Sequence, residues 1–85
     1  MRIELDKEAG ALYLQLVSGE IPDGGIARTL EIEPDVYLDL DAEGHPLGLE
    51  FVHAGDFQGF LERHGGLLEI PDRLEDPESF RLNLA

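Results

Sequence analysis

Apolar and polar side chains alternate strictly at the centre of the chain, between Pro34 and Val52. Because successive side chains of a strand point to opposite faces, this pattern predicts a β-hairpin with one apolar and one acidic face. Its apolar positions are Val36, Leu38 and Leu40 in the first strand and Leu47, Leu49 and Phe51 in the second. Residues 42–45 separate the strands and predict a turn in which Gly44 takes the left-handed conformation. The remainder of the protein must then cover the apolar face.

The register of this hairpin follows from the rule that directly opposed residues share a face of the sheet. A two-residue loop at Ala42 and Glu43 would need a positive φ at residues that resist it. We therefore predict a longer loop over residues 42–45. The predicted pairs are Leu40 with Leu47, Leu38 with Leu49, and Val36 with Phe51.

The same alternation predicts further strands nearer the amino terminus, over residues 2–6, 12–17 and 29–33. A helix competes with the second of these, because Leu12 and Leu16 have helical spacing, but Leu14 breaks that stripe. Residues 18–25 are rich in proline and glycine and predict a loop. Since the other connections are short, we expect a meander of roughly four to six antiparallel strands over residues 1–53.

After His53 the spacing of apolar residues changes to that of a helix. The positions that form one helical stripe are Phe57, Phe60, Leu61 and His64. We predict a short helix over residues 56–64 that packs on the apolar face of the sheet. Asp56 is the expected N-cap, and Gly65 and Gly66 are the expected stop.

The carboxyl-terminal extension, residues 65–85, supports two interpretations. Asp76 followed by Pro77 is typical of a helix start. Phe80, Leu82 and Leu84 instead alternate like a strand, which slightly favours a final strand. The whole pattern predicts one α+β domain over residues 1–85, with a strand meander, one short helix and this extension.

Charge narrows the classes of partner. Nineteen Asp and Glu residues against 6 Lys and Arg give a formal net charge of −13. A chain this acidic repels nucleic-acid phosphates and anionic membrane surfaces, so we expect neither as a direct partner. A basic protein or a divalent cation would be attracted.

Composition bears on location and assembly. The chain has no cysteine, which rules out disulfides and thiolate–zinc sites. Its first residues lack the apolar core of a signal peptide, and no apolar run is long enough to cross a bilayer, so we expect a cytoplasmic protein. A helix of about ten residues covers roughly three strands, so a homodimer or a heteromeric partner should bury the apolar sheet that remains.

Two stretches carry a family resemblance. Residues 5–14 read Leu-Asp-Lys-Glu-Ala-Gly-Ala-Leu-Tyr-Leu, and residues 33–44 read Glu-Pro-Asp-Val-Tyr-Leu-Asp-Leu-Asp-Ala-Glu-Gly. In order and spacing they resemble a prokaryotic family called domain of unknown function 2283, over residues 1–54. The chain departs from its signature with Leu5 in place of Tyr and Gly10 in place of Asp.

What the resemblance implies is limited. The family has no established activity or catalytic residues to carry over to this chain. Some members are thought to lie beside small toxin-like proteins, so the resemblance implies an antitoxin-like role towards a basic partner.

The acidic face of the central hairpin is the candidate binding surface. Its residues are Tyr37, Asp39, Asp41 and Glu50. In the predicted register Gly48 opposes Asp39 and leaves a shallow dip beside the acids, where a partner could insert an Arg or Lys side chain. The leading hypothesis is therefore a non-catalytic protein-interaction module.

A divalent-cation site at the same turn is the alternative. Asp39, Asp41, Glu43 and Glu50 have the spacing of ligands in a calcium-binding EF-hand loop. Strands rather than helices flank this loop, and Pro46 stands where such a loop contributes to a small sheet, so the context is unlike an EF-hand. We expect no cofactor and no enzyme activity, because no hydroxyl or histidine lies in a recognisable catalytic motif.

Overall fold

The computed structural model describes residues 2–66 and 69–76, which form one antiparallel sheet and one helix. The elements are β1 (Arg2–Asp6), β2 (Ala11–Gln15), β3 (Arg28–Glu33), β4 (Val36–Leu40), β5 (Pro46–Phe51) and α1 (Asp56–Arg63). The predicted α+β class is confirmed. The final strand suggested by Phe80, Leu82 and Leu84 lies outside the described residues.

The strand order is β1-β2-β5-β4-β3, which is a meander only from β3 to β5. β2 pairs with β5 instead of with β3, so β2 to β5 form a Greek-key arrangement. The connection over residues 16–27 makes this possible. It can reach roughly 40 Å, whereas the distance from β2 to β3 across the sheet is roughly 14 Å.

Two of the three predicted pairs in the central hairpin are confirmed, Val36 with Phe51 and Leu38 with Leu49. The third is wrong, because Leu40 pairs with Pro46 after a register shift. The loop is one residue shorter than predicted: the Asp41 N–H donates to the His45 carbonyl at 3.0 Å. Gly44 has a φ of +88°, so its predicted left-handed conformation is confirmed. This conformation closes the short loop with a β-bulge.

Helix α1 packs on the apolar face as predicted. Phe60 is buried and meets the ring of Phe51 edge to face, with centroids 5.1 Å apart. The predicted N-cap is wrong: Gly55 holds that position, and Asp56 is the first helical residue, where its charge suits the helix dipole. The predicted stop is confirmed, because Gly65 donates to Glu62 and Gly66 to Leu61 in the pattern of a Schellman motif.

Coverage of the apolar face is uneven. The buried core centres on β4 and β5, and Leu74 from the segment after the helix joins it. Ile3 and Leu5 of β1 lie on the same face but remain more than half exposed. Among residues 2–66 and 69–76, no helix combines the length and apolar character needed to cross a membrane.

Candidate functional site

The polar face of the sheet carries carboxylates and tyrosines in alternation across all five strands. Each residue lies directly opposite the next on the neighbouring strand. From β1 to β3 the residues are Glu4, Tyr13, Glu50, Tyr37 and Glu31. We call this set the acid–tyrosine row. Since neighbouring strands are about 4.8 Å apart, successive carboxylates of the row are roughly 10 Å apart.

Asp39 lies beside the row but is buried. Its exposed fraction is only 5%, because the Tyr13 side chain reaches across β5 to it. The Tyr13 hydroxyl donates to Asp39 Oδ2 at 3.0 Å, and the Thr29 hydroxyl donates to Asp39 Oδ1 at 2.7 Å. Both carboxylate oxygens are therefore hydrogen-bonded within the protein.

Gly48 makes room for this arrangement. A Cβ at position 48 would collide with the ring and hydroxyl of Tyr13, which lie directly above it. The dip expected beside Asp39 is therefore filled by Tyr13. An aromatic side chain that crosses a glycine on the intervening strand gains contact area without straining either strand.

The surroundings of the row raise the pKa of both tyrosines. Burial, followed by the negative charge of Asp39, raises the pKa of Tyr13 far above its ordinary value of 10.0. The charge of Glu31 is the main cause that raises the pKa of Tyr37, and Glu50 adds to the effect on both tyrosines. At neutral pH the two hydroxyls are therefore hydrogen-bond donors next to carboxylates.

The four residues predicted as the binding surface separate into three environments. Tyr37 and Glu50 lie together in the row, as directly opposed residues. Asp39 is buried beneath Tyr13, and Asp41 belongs to the turn.

The turn uses the Asp41 carboxylate internally. Its Oδ1 accepts the N–H groups of Glu43 and His45, both at 2.9 Å, and its Oδ2 lies 2.9 Å from His45 Nδ1. The hydrogen bond from the His45 backbone is the main cause that lowers the pKa of Asp41. Asp41 therefore stabilises the tight turn that shifts the hairpin register.

The four residues that have the sequence spacing of calcium ligands do not lie together in the structure. Asp39 and Glu50 lie on the sheet face, whereas Asp41 and Glu43 lie in the turn. Two of the four carboxylates are already hydrogen-bonded by neighbours. In the part of the chain that the structure describes, no group of three or more His, Cys, Asp or Glu residues is placed to hold a metal ion.

Three members of the row were missed by reasoning from the sequence: Glu4, Tyr13 and Glu31. The alternation does place Tyr13 on the polar face, but the pairing of β2 with β5 is what brings it beside Glu50. The long connection over residues 16–27 was the available signal that β2 and β3 need not be neighbours.

A family model described as a protein of unknown function, DUF2283, matches residues 2–54, so the chain belongs to that family. The match includes all five strands and the whole acid–tyrosine row, whereas α1 lies outside it. No curated protein and no solved structure matches the chain.

Proposed function

We propose that this member of the DUF2283 family is a non-catalytic protein-interaction module that binds a basic partner through the acid–tyrosine row. An antitoxin-like role towards a small basic protein in the cytoplasm is the form of this function that we favour. The observation that carries the proposal is the alternation of Glu4, Tyr13, Glu50, Tyr37 and Glu31 across one open sheet face.

Arginine is the side chain that such a row suits best. A guanidinium group can donate to a carboxylate in a bidentate fashion while its plane stacks on a tyrosine ring. Lysine offers neither the planar fork nor the same stacking geometry. Glu50, with a tyrosine on each side, is the expected centre of the contact.

The spacing of the row indicates how a partner would present its cations. Carboxylates roughly 10 Å apart match side chains three residues apart in a polyproline II segment, which has three residues per turn and rises about 3.1 Å per residue, so that every third side chain points the same way. A partner segment in this conformation with the pattern Arg-x-x-Arg, laid across the sheet, would therefore place successive guanidinium groups against Glu50 and either Glu4 or Glu31.

The remaining features support binding over chemistry. The net charge of −13 should steer a basic partner towards the protein and speed association at low salt. The tyrosine hydroxyls keep their protons at neutral pH, and that of Tyr13 already donates to Asp39, so they are not suited to acting as nucleophiles.

Calorimetric titration with short peptides tests the proposal. We expect an Arg-x-x-Arg peptide to bind more tightly than its Lys-x-x-Lys counterpart, and a Glu-x-x-Glu peptide not to bind. Replacing Glu50 with Gln should weaken Arg-peptide binding by about three- to tenfold, since one charged pair is lost.

A matched variant distinguishes binding at the acid–tyrosine row from non-specific electrostatic attraction to an acidic protein. Glu20→Gln removes the same charge in an exposed loop away from the sheet face, so binding should be nearly unchanged. If Glu20→Gln and Glu50→Gln weaken binding equally, or if the lysine peptide binds as well as the arginine peptide, the row is not the binding site.

A further inference from the structure

The outer edge of β1 is a free strand edge in the part of the chain that the structure describes. β1 is the first strand of the sheet and pairs only with β2, so alternate backbone N–H and C=O groups point away from the sheet. All five of its residues are exposed. In the described residues, no other strand pairs with this edge.

Two apolar side chains accompany the free edge. Ile3 is 57% exposed and Leu5 is 54% exposed, the highest values among the large hydrophobic side chains that the structure describes. They lie opposite Leu14 and Leu12 and so continue the apolar face of the sheet. A further strand added at this edge would extend that face and reduce the exposure of both.

The other edge of the sheet is closed by several devices. A register shift interrupts β3 between Glu31 and Glu33, and Pro34 follows directly. Glu33 also holds the end of α1, through Arg63 and His64. Bulges, proline and covering elements are among the means by which proteins prevent edge pairing, and within residues 2–66 and 69–76 β1 has none of these three.

We propose that β1 is the docking edge for a second copy of this chain. The two β1 strands pair antiparallel about a two-fold axis at Ile3, which places Arg2 of each copy opposite Glu4 of the other. Leu5 of each copy then lies diagonal to Ile3 of the other, within reach of its side chain. The inference does not rest on the proposed binding of a basic partner, although both proposals use Glu4, which lies at one end of the acid–tyrosine row.

Charge complementarity favours a second copy of the chain as the partner, and it favours the register centred on Ile3. Arg2 and Glu4 lie on one face of β1, two residues apart, and already form an ion pair at 2.9 Å within the strand. An antiparallel copy offers the same two charges in reverse order, so each Arg2 meets a Glu4. The register with Glu4 on the axis is disfavoured because it sets two like charges directly opposite each other.

The expected dimer is weak. The interface is a single short strand pair, and each chain carries a net charge of −13 that opposes association until salt screens it. We expect a dissociation constant on the order of tens of micromolar at physiological salt, measured for the full chain by sedimentation equilibrium.

Exchange of the two charges is the decisive test. Arg2→Glu and Glu4→Arg should each weaken self-association by about tenfold, because each turns both cross-strand attractions into repulsions. An equimolar mixture of the two variants should restore dimerisation as a heterodimer. Both side chains are exposed, so the variants should fold like the native protein, which circular dichroism can check.

A second pair of variants tests the apolar contact. Ile3→Lys places two like charges at the axis and should abolish the dimer, whereas Ile26→Lys makes the same change at an exposed loop residue and should not. A monomer at high concentration, or a dimer indifferent to Ile3→Lys and to the charge exchange, would overturn the proposal. So would a monomer whose β1 amides resist hydrogen exchange, because its own chain would then cover the edge.

Discussion

Leu38 and Leu5 are leucines on the same face of one sheet, but Leu38 is fully buried and Leu5 is 54% exposed. The difference comes from what lies above each strand. α1 and Leu74 pack over β4 and β5, and Glu33 of β3 contacts the end of α1, so we call these three strands the covered half. Among the described residues, β1 and part of β2 form the open half. Alternation in a sequence thus assigns a residue to a face, but the position of the covering helix decides how far that residue is buried.

The largest expected effect compares these two leucines directly. Leu38→Ala should lower the free energy of unfolding by about 2–5 kcal/mol, since it leaves a cavity in a fully packed site. Leu5→Ala should cost less than about 1 kcal/mol, because little apolar surface is removed from water there. Urea unfolding at a concentration that keeps the protein monomeric measures both. Equal costs would show that the open half is covered in solution.

The two halves also differ in how strongly a carboxylate is held in each. In the covered half, Glu33 accepts from Arg63 Nε at 3.1 Å and lies 2.5 Å from Nε2 of the buried His64. Glu33→Gln should therefore lower the free energy of unfolding by about 1–3 kcal/mol, because it weakens hydrogen bonds that tie the helix end to β3.

The matched change in the open half is Glu4→Gln. Glu4 pairs with Arg2 on an exposed strand, so this variant should change the free energy of unfolding by no more than about 0.5 kcal/mol. A cost for Glu33→Gln as small as this would mean that the hydrogen bonds to Glu33 do not hold the helix end.

The difference between the halves also explains which parts of the fold could be predicted from sequence. Periodicity reports local geometry, so it located the strands, the helix stripe and two hairpin pairs. It does not report which strands become neighbours across a long connection, and the pairing of β2 with β5 depends on residues 16–27. The predicted register beside the loop was wrong for a related reason, because the Asp41 carboxylate and Gly44 together favour a shorter turn.

The candidate site was predictable only as far as the central hairpin extends. Tyr37 and Glu50 oppose each other in adjacent strands, so the register placed them together. Tyr13 comes from β2, and its role over Gly48 and Asp39 requires a tertiary contact that alternation cannot express. Asp39 shows the same limit: its place on the polar face was predictable, but its burial was not.

Tyr13 joins the two halves, because it belongs to β2 and bonds to Asp39 in the covered half. Its pKa is raised in the folded protein, so its stabilising contribution is complete below the unfolded value of 10.0 and falls as the pH rises above it. The unfolded chain loses the phenol proton in that range while the folded protein keeps it, which favours unfolding.

Tyr13→Phe should therefore reduce the loss of stability above pH 10.0, although the raised pKa of Tyr37 will preserve part of it. Denaturant unfolding of both proteins at neutral and alkaline pH measures the difference, and ultraviolet titration of the phenols provides an independent check. Tyr13 should ionise after Tyr37, since burial is the leading cause of its shift. If Tyr13 ionised first, its ring would lie in solvent and Asp39 would be uncovered. The hydrogen bond from Tyr13 to Asp39, which joins the two halves, would then be absent in solution.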